Sequence, residues 1–234
     1  MLSIIIPAHN ESRMLESSVN QLTKAMAAAP LAGLGYEIVI AEDGSTDGTQ
    51  GLAEKLARSD RRIRVLSTKK RIGRGFSLSN AITAAKGDII IYMDADLATD
   101  LSHLPRLIRE IGSGSDISTG SRLLAGSKVI GRRRLRDIAS KGYNLLLRLL
   151  FRTKLKDHQC GFKSFRKSSV LPLLPQVRDG HWFWDSELLI RAQKAGLKVT
   201  EFPVEWADRR ESSVKLQSDV LYMGAAAIRL RLSL

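Results

Sequence analysis

The stretch "YMDADLATD" (residues 92–100) ends an apolar run by setting down three carboxylates, Asp94, Asp96 and Asp100, within seven positions. In an extended strand end, Asp94 and Asp96 share a face at a Cα separation of about 6–7 Å. Carboxylates that close repel unless a cation lies beside them, and a hard, oxygen-preferring ion such as Mg2+ or Mn2+ is the natural occupant. Such an ion would bind the phosphates of a substrate. The plainer alternative is a solvated turn, or caps for a helix that begins near Leu101. The metal is favoured by the other polar loops that the surrounding elements bring to the same place.

Those elements alternate. "LSIII", "YEIVIA", "IRVL", "DIIIYM" and "DISTG" read as strands. "ESRMLESSVNQLTKAMAAA", "TDGTQGLAEKLARS", "GFSLSNAITAAK" and "LSHLPRLIREI" read as helices, the first with Met14, Leu15, Val19, Leu22 and Met26 at helical spacing. The strands show almost no polar alternation, as strands buried on both faces do. The expected fold is therefore α/β, a mostly parallel, Rossmann-like sheet with helices on both faces. Sites in such sheets lie beyond the carboxyl ends of the strands. The loops there are "PAHNE", "EDGSTDGT", "KKRIGRG" and "DADLATD". Taken alone, "DGSTDGT" is a turn and helix cap, and "GRG" is weak evidence of phosphate binding.

Composition narrows the partners. The 234 residues carry a formal charge of +13, which attracts phosphate as nucleic acid, nucleotide or anionic lipid. Between 123 and 154 the basic residues are interleaved with Leu, Ile and Phe against one acid, Asp137. That mixture predicts an acceptor- or membrane-facing amphipathic segment and suits an anionic membrane surface better than single-stranded nucleic acid, which wants aromatic platforms. A basic nucleic-acid-binding module is the non-enzyme alternative, and the acid-rich loops argue against it. The single cysteine, Cys160, excludes an internal disulfide framework and fits a reducing compartment. No basic leader and no apolar run long enough to span a bilayer is present, so a peripheral protein on the cytoplasmic face of a membrane is expected. Composition shifts divide the chain into a catalytic body at 1–212 and a C-terminal amphipathic segment at 213–234.

"IIIPAHNE", "IVIAEDGSTDGT", "RIGRG", "MDADL", "GSR" at 120–122, "DHQCGFKSF" and "WFWDSELL" follow in that order. Together they resemble the family-two inverting glycosyltransferases of GT-A fold, within them the polyprenyl-phosphate sugar transferases and the dolichyl-phosphate glucosyltransferases in particular. The resemblance covers residues 3 to about 223. It implies transfer of a hexose from a nucleotide sugar, UDP-glucose first, to a polyprenyl or dolichyl monophosphate. GDP-mannose or a UDP-N-acetylhexosamine as donor, or a cell-envelope glycan hydroxyl as acceptor, remain alternatives. It further implies that Pro7, Ala8, Glu11 and Asp43 hold base and ribose, that Asp94 and Asp96 bind the bridging metal, and that Arg74 and Arg122 lie near the phosphates.

Asp157 occupies the position the family assigns to a base or an acceptor-orienting acid. A phosphate monoester, with a second pKa of about 6, arrives largely ionised, so Asp157 can orient or balance charge as readily as abstract a proton. Its plain alternative is a buried partner for an Arg. Lys163 is the expected ligand of the lipid phosphate, with Arg132 beside it. Asp185 and Glu187 stand on the acceptor side, with Trp182 and Trp184 as packing or as an acceptor-side wall, although acids at a helix N-terminus are often only dipole partners. His9, His103, His158 and His181 show no metal-ligand spacing, and Cys160 reads as a packing residue.

Overall fold

The structure, a computed structural model, describes residues 1–208 and 216–234. In chain order the elements are β1 (Leu2–Ala8), α1 (Leu15–Ala27), β2 (Tyr36–Asp43), α2 (Thr49–Ser59), β3 (Ile63–Thr68), α3 (Arg74–Ala84), β4 (Ile89–Met93), α4 (Leu104–Gly112), β5 (Ile117–Ser121), β6 (Lys128–Ile130), α5 (Arg134–Phe151), β7 (Phe162–Arg166), α6 (Lys167–Val170), α7 (Trp184–Lys194), β8 (Val199–Pro203), β9 (Glu205–Ala207) and α8 (Leu216–Ser233).

Seven strands form one sheet in the order β3-β2-β1-β4-β7-β5-β8, parallel throughout except for β7. Its two faces are both covered, as the unbroken apolar strands require. Ile4 and Ile6 of β1 join Ile38 and Ile40 of β2 under Leu15, Val19 and Leu22 of α1 and Leu56 of α2. The intervening Ile5, with Val39 and Ala41, packs on the other face under α3 and α7, through Leu78, Ile82, Trp184 and Leu188. A third apolar cluster joins α5, α7 and α8 through Tyr143, Leu147, Ile190, Met223 and Leu230. The expected boundary between 1–212 and 213–234 falls outside the described residues; α8 itself is packed on α5 within that cluster.

Two features of this topology place the site. The strand order reverses between β1 and β4, which opens a crevice beyond their carboxyl ends. Because β7 runs antiparallel, with Phe162 opposite Met93, residues 157–161 arrive at that same edge just before β7 begins. Arg122 reaches it directly from the end of β5.

The structure corrects several sequence expectations. Asp94 and Asp96 do not extend β4; the Leu97 N–H donates to the Asp94 carbonyl at 3.0 Å and Leu97 has φ of 47°, so the acid pair sits on a turn. Asp100 is a cap, accepting from the Ser102 N–H at 2.7 Å at the start of a single 3-10 turn before α4. The helix expected from Glu11 starts at Leu15. Of the basic segment 123–154, only Arg134–Phe151 is helix, its beginning forming a loop and the short β6 that pairs with β9.

Candidate active site

Three loops are tied into one edge by side-chain hydrogen bonds. Asn10, at φ of 57°, accepts from the Thr46 N–H at 2.9 Å, and its own N–H donates to Ser45 Oγ at 3.0 Å. The Glu11 N–H donates to Thr49 Oγ1 at 2.8 Å. Asp47 accepts from the Thr49 N–H at 3.0 Å and from Ser12, so in this loop the turn-and-cap reading is right for Asp47. Asp43 accepts from the N–H groups of Ile72 at 2.7 Å and Gly73 at 3.0 Å, which ties down the loop after β3. Gly73 has φ of 104°, and a Cβ there would lie 2.3 Å from the Gly180 carbonyl, so glycine alone lets that loop turn into α3 beside residue 180.

A chain of alternating charges crosses from the interior to the crevice. Lys163 Nζ lies 2.9 Å from Asp185 Oδ1, Arg74 donates to Asp185 Oδ2 at 2.9 Å, and the same guanidinium donates to Asp94 Oδ1 at 2.7 Å. Burial alone would raise the Asp185 pKa, but Lys163 and Arg74 outweigh it and hold the carboxyl below the usual range. Burial would likewise lower Arg74, and the two carboxylates reverse that. Asp94 is the most open member of the chain and lies against Gly161, where a Cβ would come within 1.8 Å of its Oδ2.

A second cationic group faces the first. Arg122 donates to both oxygens of Asp157, at 2.7 and 2.9 Å, and its backbone N–H adds a bond at 3.0 Å. Asp157 is fully buried; burial pushes its pKa up, and Arg122 overrides this and pulls it well below the carboxylate range. Arg132 differs. Its side chain is 7 % exposed, its Nε and Nη1 have no hydrogen-bond partner among the described residues, and Asp137 stands 3.6 Å away. Burial, then the like charge of Arg122, depresses its pKa to about 10. Arg122 and Arg132 both lie against the Trp206 ring, 5.8 and 5.9 Å from its centroid.

These groups line one cleft of about 700 Å3, with Pro7, Ala8, Glu11, Asp43, Arg74, Asp94, Asp96, Arg122, Arg132 and Asp185 all on its walls. Acids and arginines facing one cavity, with donors of Arg132 unmet among the described residues, suit a ligand that brings both phosphate and a countercation. The model of the family described as "Glycosyl transferase family 2" matches residues 3–172. The chain belongs to glycosyl transferase family 2. Among curated family members, it is 43% identical over 229 residues to glycosyltransferase AglD of Haloferax volcanii, covering 97% of this chain and 36% of that protein. It is 31% identical over 224 residues to dolichyl-phosphate beta-glucosyltransferase ALG5C of Trichomonas vaginalis, covering 92% of this chain and 66% of that protein. The chain thus spans about a third of the first relative and just under two thirds of the second. Among solved structures it is similar to glucosyl-3-phosphoglycerate synthase from Mycobacterium tuberculosis in complex with Mn2+, UDP-glucose and phosphoglyceric acid, with TM-score 0.73 at 19% identity, over 99% of this chain and 79% of that one. That likeness shows the fold to be the one expected, GT-A, with its mostly parallel sheet.

Four residues assigned from the sequence lie off the walls of this family 2 cleft. Lys163 is 1% exposed and committed to Asp185 and the Cys160 carbonyl, which leaves no ammonium edge for a lipid phosphate. Trp184 is fully buried in the core, its indole N–H donating to Ser79 Oγ at 2.9 Å, and is not an acceptor wall. Glu187 accepts from the backbone N–H groups of Arg178 and Asp179 and pairs with Arg191 at 2.8 Å, a structural role inside α7. Asp157 reaches the cleft only through Arg122. Conversely, Trp206, His9 and Met223 line the cleft and were not assigned, and of the two tryptophans read from the sequence as packing or as an acceptor-side wall it is Trp182 that lines it. Trp182 and Trp184 differ by one helical half-turn, and nothing in "WFWDSELL" says which faces inward. Cys160 is fully buried, with its thiol pushed up to about 12 by burial, and is no nucleophile.

The acid pair can hold a divalent ion only in part. Among the described residues no cluster of three His, Cys, Asp or Glu side chains could hold a metal. Asp94 and Asp96 supply two hard oxygen donors on an open turn, and such a set suits a cation whose remaining positions are filled by ligand phosphate and water.

Proposed function

We propose that the protein transfers glucose from UDP-glucose to the phosphate of a polyprenyl monophosphate, dolichyl phosphate or a relative of it, with inversion at the anomeric carbon. The observation that carries this reading is Arg132: a guanidinium almost wholly buried, without hydrogen-bond partners on two nitrogens, beside Arg122 in the cleft that holds Asp94 and Asp96. Buried guanidinium N–H groups left without acceptors are costly, and an ionised phosphate monoester would satisfy them. The names of the relatives, dolichyl-phosphate beta-glucosyltransferases among them, and the UDP-glucose and Mn2+ bound by the structural neighbour support donor and acceptor alike.

Asp94 and Asp96 would hold Mn2+ or Mg2+, which neutralises the diphosphate that leaves. The chain's own groups do the rest. The loops after β1, β2 and β3 fix the nucleoside, and Arg74 stands where the diphosphate meets Asp94. Arg132 and Arg122 orient the acceptor so that one phosphate oxygen faces the anomeric carbon. That oxygen forms the new C–O bond as the bond to the diphosphate breaks, and the electron pair departs with UDP. No proton moves, so Asp157 serves by fixing Arg122. We assign the reaction to the cytoplasmic face of a membrane, consistent with a single unpaired cysteine. Among the described residues no helix is long and apolar enough to cross one.

A donor screen tests the reading. With a short, water-soluble polyprenyl phosphate, UDP-glucose should give the glucosyl phosphodiester, and GDP-mannose and UDP-N-acetylglucosamine should not. Transfer to a glycan hydroxyl in preference to the lipid phosphate would overturn it.

A further inference from the structure

We infer that the paired outer faces of α5 and α8 form a docking surface for an anionic phospholipid membrane. The inference rests on the acceptor reading above only for what the docking delivers. On α5, Leu135, Ile138 and Leu149 are each more than half exposed; on α8, so are Leu221, Ile228 and Leu232. On each helix successive positions of this set fall three, four, seven or eleven residues apart, each about a whole number of helical turns, so they form one apolar stripe per helix. The opposite sides of the same helices are packed together through Tyr143, Leu147, Met223 and Leu230. The two stripes therefore cannot turn inward.

Most of the large exposed apolar side chains of the described residues lie on these two helices, and a patch of that kind marks an interaction surface. Charge selects the occupant. Exposed Arg133, Arg134 and Arg152 flank the α5 stripe and exposed Arg229 and Arg231 flank that of α8. Leucines between arginines match the acyl boundary and anionic headgroups of a membrane, whereas a second copy of this chain would bring the same positive charge against it. Arg132 does not belong to this face, because it is turned into the cleft.

The arrangement also joins surface to site. Ser140 and Tyr143 of α5 and Val220 and Met223 of α8 line the cleft, so both helices present one side to the membrane and another to the acceptor. A lipid phosphate can pass to Arg132 while its chain stays at the outer face.

The test uses Ile138→Gln/Leu149→Gln/Leu232→Gln, three exposed positions outside the cleft. Sedimentation is measured with phosphatidylcholine vesicles, with and without phosphatidylglycerol, at low and high salt. The wild type should bind the anionic vesicles with salt-sensitive affinity, and the variant about tenfold more weakly or less. The variant should keep its kcat/KM on the short soluble acceptor and show a raised KM for a long-chain polyprenyl phosphate in vesicles. Equal vesicle binding by variant and wild type overturns the inference. So does a wild type that binds no vesicles, or one that is a dimer by light scattering and becomes a monomer in the variant. Vesicle binding without transfer to the short acceptor would instead refute the chemistry and leave the docking surface standing.

Discussion

Replacing Arg132 with Met removes a guanidinium whose Nε and Nη1 have no hydrogen-bond partner among the described residues, while keeping most of the packing of its stem. A buried polar group left unsatisfied costs about 1–3 kcal/mol. The free protein should therefore gain about 1 kcal/mol or more, and its Tm should rise by about 2–4 °C per kcal/mol for a chain of this size. Asp137 is not orphaned by the change, because Lys141 holds it at 2.7 Å. The acceptor suffers the opposite effect. Losing a charge-assisted hydrogen bond to phosphate costs about 1.5–3 kcal/mol, so the KM for polyprenyl phosphate should rise roughly 10- to 150-fold while that for UDP-glucose stays within about twofold. Calorimetry and steady-state kinetics on the same preparation read both. A variant that is less stable than the wild type, or whose two KM values rise together, would show that Arg132 is a structural cation and not an acceptor site.

Asp96→Ala should abolish Mn2+-dependent nucleotide binding and transfer in a protein that still folds, its Tm lowered by no more than the loss of the turn contact from the Ala98 N–H, and full activity in EDTA would refute the metal assignment. Lys163→Met leaves the buried Asp185 with Arg74 as its only cationic partner among the described residues, so urea denaturation should show a loss of about 3 kcal/mol, with an unchanged acceptor KM in the protein that remains folded. His158 is buried, and burial lowers its pKa to about 4. Between pH 6.5 and 4 the unfolded chain takes up a proton there that the fold refuses, so stability falls with falling pH by up to about 3 kcal/mol, and His158→Gln should flatten the stability profile in that window.

The sheet was legible because its physical signal is strong: four strands with apolar side chains on successive positions admit few arrangements other than a covered parallel sheet. The cleft-facing loops were legible for the same reason, since a parallel sheet sends every βα loop to one edge. The antiparallel β7 was not, because "FKSFR" alternates too briefly to announce a direction, and it is β7 that carries residues 157–161 to Asp94. Lys163 and Glu187 were misplaced because a charged residue in a motif looks like a ligand until its partner is known. Their partners, Asp185 and the backbone of residues 178–179, are set by tertiary structure. Arg132 was expected beside the lipid phosphate, but its neighbours Arg133 and Arg134 have the same character in the sequence, and only burial sets Arg132 apart from them.

The role of Asp157 follows from charge balance more than from its own pKa. Arg122, Arg132 and Arg74 all face the cleft, and of the three Arg132 alone has no hydrogen-bonded carboxylate partner among the described residues. Were Asp157 to take a proton, the charge of Arg122 would stand uncompensated in a buried position, at a cost of several kcal/mol. The acid is also pinned by three hydrogen bonds from Arg122 and has no exposed edge from which to reach a hydroxyl. On the proposed reading, a site built this way would disfavour any acceptor that must be deprotonated and favour one that arrives as an anion, so the same ion pair that fixes Arg122 would select a phosphate over a hydroxyl.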